Sequence, residues 1–157
     1  MKRCALSWYL CLFCGLLLAQ NRAEVSYLSE TDETLTASVL VYANKKKQAK
    51  AYAAVNLIHA LIFEGVDGSR RRSVPYVRDE TGSLKSHFAF FHNLFDEEGY
   101  RYYVESAKIM ERVKTKHKRK RLKNKKEKCY VVRVSANFSG LKQALVYHNI
   151  ISQFGMY

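Results

Sequence analysis

The chain has 157 residues, 27 basic against 14 acidic for a net charge of +13, 48% hydrophobic content and a single proline. That length serves one domain rather than two, and eight Phe with eleven Tyr exclude low-complexity disorder as the bulk state. Ten of the basic residues fall between Lys114 and Lys128 with Glu127 as the one acid there, so the rest of the chain is close to neutral.

Residues 1–23 read as a cleavable signal peptide. Met1-Lys2-Arg3 is a charged start, and Cys4 to Leu18 is an uncharged run shorter than the roughly 20 apolar residues of a spanning helix. Cleavage fits before Gln20 or before Glu24, and an uncleaved membrane anchor is the alternative. Phe13 before Cys14 argues against lipidation. Cys4, Cys11 and Cys14 leave with the signal, so Cys129 stands alone and no disulfide framework is expected. The expected location is periplasmic or secreted.

Residues 24–35 are acidic and polar, and read as a loose lead-in to a single domain at 36–157. Thr36 to Ala43 is β-branched and aromatic, the first strand. After Asn44, Lys45-Lys46-Lys47 open a helix that runs to Phe63 without Gly or Pro. Ala49, Ala53 and Ala60 recur with Leu57, Ile58 and Leu61 at helical spacing. The alanines point to close packing on a sheet. Three lysines at the helix start oppose the dipole, and are either a solvated start or an anion site.

Gly65-Val66-Asp67-Gly68-Ser69 ends that helix, and Arg70-Arg71-Arg72 sits in the following loop. Val74-Pro75-Tyr76-Val77 reads as extended. Ser83 is a candidate N-cap for a second helix, Leu84 to Phe95, whose Leu84, Phe88, Phe91 and Phe95 form one buried aromatic stripe. Tyr100 to Val113 reads as a long strand with neither face cleanly apolar. Cys129 to Ala136 follows, with Tyr130, Val132, Val134 and Ala136 on its apolar face. Ser139 can cap a last helix, Leu141 to Ile150, and Ile151 to Tyr157 is an apolar tail. Asn137-Phe138-Ser139 matches a glycosylation sequon, which has meaning only in a eukaryotic secretory pathway. The order β-α-(α)-β-β-α gives an α+β fold, a small antiparallel or mixed sheet packed by helices, with 114–128 as the projecting tip of a basic β-hairpin.

No catalytic motif is present: no phosphate loop, nucleophile elbow or paired cysteines. No two of His59, His87, His92, His117 and His148 stand at i, i+4, so no metal site and no cofactor is expected. The strongest signal is Lys114, Lys116, Lys118, Arg119, Lys120, Arg121, Lys123, Lys125, Lys126 and Lys128. Such a run repels itself and stays solvated unless an anion neutralises it. It is a solubilising tip, a contact for phospholipid or lipopolysaccharide head groups, or a nucleic-acid site. The last is the weakest reading, since no aromatics interleave and export removes most such partners. Arg70, Arg71 and Arg72, with Lys45 to Lys47, strengthen a binding reading if they share a face with the hairpin.

Val39 to Ala60, a strand, a basic turn and an alanine-spaced helix, resembles the opening of a bacterial envelope domain. That domain occurs in the N-terminal part of the flagellar T-ring protein and in Helicobacter-type surface lipoproteins. Tyr130 to Asn137 and the helix ending Asn149-Ile150-Ile151-Ser152-Gln153-Phe154-Gly155 is similar to small exported proteins of Bacteroidetes type. The resemblance implies a β-α-β-β-α envelope module that acts by binding or assembly, and it brings no catalytic residues. The leading expectation is therefore a non-enzymatic exported module whose partner is an anionic envelope component, met by peripheral membrane contact, or an acidic protein. The alternatives are a small enzyme with an unrecognised site and an oligomer-forming structural component.

Overall fold

The structure is a computed structural model that describes residues 23–113 and 128–152. Residues 1–22 of the expected signal peptide, the basic stretch 114–127 and the tail from 153 lie outside the described residues. Four strands, β1 (Glu24–Glu30), β2 (Thr34–Ala43), β3 (Val104–Val113) and β4 (Lys128–Asn137), form one antiparallel sheet in the order β1-β2-β4-β3. Helices α1 (Lys46–His59), α2 (Glu80–Ser86), α3 (Phe88–Phe95) and α4 (Phe138–Tyr147) complete an α+β fold.

Strand β2 alternates as a half-buried strand must: Leu35, Ala37, Val39, Val41 and Ala43 are buried and the residues between them half-exposed. Its ladder to β4 is unbroken from Thr34↔Asn137 to Ala43↔Lys128. Helix α1 packs across β2, β4 and β3, and its buried Ala49, Ala53 and Ala54 allow the close approach that alanine spacing predicts. Leu57, Ile58, Leu61 and Ile62 are fully buried behind them, each contributing about 1.5–3 kcal/mol of burial free energy. A π turn, Ala60–Glu64, extends α1, so the helix reaches Phe63 as expected. The freed carbonyls of Leu61 and Ile62 accept from the Tyr76 and Val77 N–H groups.

Several elements differ from the sequence reading. The loose lead-in is strand β1, an edge strand whose Val25 and Tyr27 pack on the core while Glu24 and Ser26 face away. The aromatic helix is two helices that break at His87, and Asp79, not Ser83, caps the first by accepting from the Gly82 N–H at 2.9 Å. The break resets the helical phase. Phe91 and Leu94 are buried, Leu84 and Phe95 only partly, and Phe88 is 66% exposed. Tyr100 to Tyr103 belong to a 3-10 turn, Gly99–Tyr103, ahead of β3. Within β3 two bulges shift the alternation, so Val104, Ala107 and Ile109 all reach the core and Met110 turns out. Helix α4 begins three residues early because Asn137, not Ser139, caps it, its Oδ1 accepting from the Gly140 N–H at 2.6 Å. The carboxamide of the sequon asparagine is therefore engaged in a cap.

Edge strand β1 is anchored at one end by Ser69, a buried hydroxyl that donates to Glu30 Oε2 at 2.6 Å and accepts from the Arg72 N–H at 2.8 Å. The Arg70 N–H donates to Glu30 Oε1 at 3.0 Å. The Ser69 hydroxyl foremost, with the Arg70 and Arg71 N–H groups and the Arg71 charge, holds the Glu30 carboxyl below its ordinary 4.5 against the effect of burial. Ser69→Ala is expected to cost about 1–2 kcal/mol in urea unfolding at neutral pH, as a charge-assisted bond and a buried acceptor are lost together. Because the Glu30 pKa is depressed by folding, its stabilisation is full above the ordinary carboxylate value and vanishes as acid protonates it. The gap between wild type and Ser69→Ala should therefore narrow as pH falls through the lowered Glu30 pKa, down to the part owed to the Arg72 N–H; a gap that stays constant into acid would contradict the assignment.

Candidate functional site

The two ends of the sheet differ in charge, and register decides which basic residues share an end. Ala43, the last residue of β2, pairs with Lys128, the first of β4, and Val113, the last of β3, pairs with Cys129. The basic stretch 114–127 is therefore joined to the fold at this end through both of its neighbours. Helix α1 starts here too. Lys45 occupies the N-cap with no side-chain cap bond, and Lys46 and Lys47 follow in a first turn free of acids. Gln48 Oε1 reaches back to accept from the Asn44 N–H at 3.2 Å, satisfying one donor at the helix start.

Arg70, Arg71 and Arg72 lie at the opposite end. Their loop is bonded to Glu30 and Asp32, beside the β1–β2 turn, and Thr34 of that turn pairs with Asn137. Ten residues of β2 put about 30 Å between the two ends. Arg71 is paired with Asp32, and the Arg72 guanidinium carbon sits 4.0 Å over the Tyr76 ring. The Tyr76 hydroxyl donates to the Phe138 carbonyl, and burial pushes its pKa up. The structure thus brings Lys45 to Lys47 together with Lys128 and keeps the arginine triplet apart from them.

A groove not legible as a motif runs between α1 and β3, from the lysine-rich start of α1 to Val104, whose partner Ala136 lies toward the other end of the sheet. Its larger part is a cavity of about 820 Å³ lined from α1 by Lys45, Lys47, Lys50, Ala51 and Ala54, and from the other side by Tyr100, Arg101, Val104 and Ala107. A second part of about 600 Å³ shares Lys47 and Lys50 and adds Lys46, Lys108 and Ile109. Glu98 Oε2, 2.7 Å from Arg101 Nη2, is the acid in the lining. Lys47 and Lys50 at i, i+3 carry a helical-face signal that the sequence does contain. Lys108 has none, because only the packing of α1 against β3 brings it near.

The other reactive side chains are engaged locally. His59 lies between Glu64 Oε1 at 3.4 Å and Glu80 Oε1 at 3.0 Å. His92 is 3.8 Å from Glu97, and the His148 ring is 4.7 Å from that of Phe90. Cys129 is a buried free thiol whose pKa is raised by burial against the opposing hydrogen bond of Tyr42, so the thiolate that nucleophilic chemistry needs is disfavoured. Among the described residues no group of three or more His, Cys, Asp or Glu converges on a metal position, and no helix is long and apolar enough to cross a membrane. Compared with protein-family models, curated proteins and solved structures, the chain matches none.

Proposed function

We propose that this protein is an exported, non-enzymatic envelope module that binds an anionic surface through its basic end. The observation that carries the reading is the Ala43↔Lys128 register. It sets Lys128 and the lysine-rich start of α1 at one end of the sheet, where Val113 and Lys128 flank the basic stretch in the sequence, while the rest of the chain is near neutral. Lysine is a compact point charge suited to phosphate head groups, and each basic residue near an anionic membrane surface contributes about 1 kcal/mol. The signal-like N-terminus and the resemblance to envelope domains favour phospholipid or lipopolysaccharide as the surface.

The test is co-sedimentation with vesicles rich in phosphatidylglycerol, against phosphatidylcholine vesicles, across graded salt. Replacing Lys118, Arg119, Lys120 and Arg121 with Gln is expected to lower partitioning onto the anionic vesicles by roughly 10²–10³-fold and to flatten its salt dependence. Unchanged partitioning would overturn the reading.

A further inference from the structure

We propose that the groove between α1 and β3 is a docking site for an extended peptide segment that alternates acidic with apolar residues. This rests on the reading above only in requiring an anionic partner; it assigns a second contact that shares the lysines at the start of α1 with the basic pole and adds Lys50, Lys108 and an apolar floor. The groove combines two chemistries. Its rim carries Lys46, Lys47, Lys50 and Lys108, while its floor is made of small and aliphatic side chains, chiefly Ala51, Ala54, Val104 and Ala107. A ligand that satisfies both needs negative charge on one side and apolar groups on the other, repeated along its length.

The dimensions fit an extended chain. From Val104 to Ile109 the strand wall measures about 17 Å, the length of about five extended residues. Alternate side chains of such a peptide lie on one side at about 6.6 Å spacing, near the roughly 5–6 Å between Lys47 and Lys50 on one helix face. The floor then receives the intervening apolar residues and removes them from water.

Other polyanions meet one half of this surface. Polyphosphate answers the rim and leaves the floor wet. A planar head-group surface reaches the lysines without entering between helix and strand. Bases or sugar rings need an aromatic face, and the aromatic lining residue, Tyr100, is only 4% exposed. Pairing along the backbone edge of β3 is opposed by its two bulges and by exposed Glu105, Lys108 and Glu111, which are edge-protecting features. The groove, rather than the edge, is the contact.

The experiment measures fluorescence anisotropy of a labelled eight-residue peptide of alternating Glu and Leu with the full mature chain. Salt is held at about 0.15 M, where exposed charges are screened beyond ~8 Å. Saturable binding is expected, with a peptide of the same composition but blocked Glu and Leu weaker by about tenfold. Lys47→Gln with Lys50→Gln, and separately Ala51→Phe, should each weaken the alternating peptide by about tenfold. Ala51→Phe should leave partitioning onto anionic vesicles unchanged, and the four Gln substitutions at 118–121 should leave peptide affinity within about twofold. Equal binding of the two peptides, or displacement by polyphosphate at matched charge, would overturn the proposal. If Ala51→Phe fails to fold, the two lysine substitutions and the peptide comparison decide it. Loss of vesicle binding alone would count against the first reading and leave this one standing.

Discussion

Changing Lys45, Lys46 and Lys47 to Gln together is expected to weaken partitioning onto anionic vesicles by roughly 10²-fold, at about 1 kcal/mol per charge. Changing Arg70, Arg71 and Arg72 to Gln should leave partitioning within about twofold, although both variants remove three charges from the same chain. The difference is geometric. The lysines share an end of the sheet with Lys128, whereas the arginines sit some 30 Å away, beyond several Debye lengths of about 8 Å at physiological salt. Local chemistry also occupies the arginines: Arg71 pairs with Asp32 and Arg72 lies on Tyr76. If the arginine variant weakened binding as much as the lysine variant, charge number rather than position would govern the interaction, and a single basic pole would be the wrong description.

The sequence made that pole visible only in pieces. Three runs of basic residues stand out by composition, but composition carries no register, and it is the pairing of Ala43 with Lys128 that sorts them into one pair and one outlier. The same limit explains the other differences. Strand β2 and helix α1 were legible because every residue obeys a single period, 2 in one and 3.6 in the other. Strand β3 was not, because two bulges change its phase at places the side chains do not mark. Strand β1 hid behind Glu24 and Glu30, which an edge strand tolerates because one side of its backbone and one face meet water. Asp79 and Asn137 outcompeted Ser83 and Ser139 as caps, each sitting three residues before the glycine N–H that it accepts from. The groove needed both α1 and β3 in place before Lys50 and Lys108 could be read together.

Gly65→Ala is expected to be the most damaging single substitution at a glycine in this fold, costing roughly 3–5 kcal/mol in urea unfolding. Gly65 closes the π turn with φ 81° and ψ 171°, a region that side-chain-bearing residues almost never occupy. A methyl group there would also stand 2.3 Å from the Ser73 carbonyl oxygen, which is backbone and cannot rotate aside. The Gly65 N–H donates to the Ala60 carbonyl at 2.7 Å, so moving the residue to relieve the clash breaks the turn's own closing bond. Gly68→Ala is the control. It shares a positive φ, 87°, but its added carbon would meet Tyr27 Cβ at 3.4 Å, an ordinary contact, so backbone strain alone should cost about 1–2 kcal/mol. Equal losses at the two glycines would mean that backbone strain, and not the Ser73 carbonyl, sets the penalty. The loop that Gly65 positions carries Ser69 to Glu30 at the far end of the sheet from the lysines. The folded fraction of Gly65→Ala should therefore still partition onto anionic vesicles as the wild type does, which separates a defect in stability from a defect in binding.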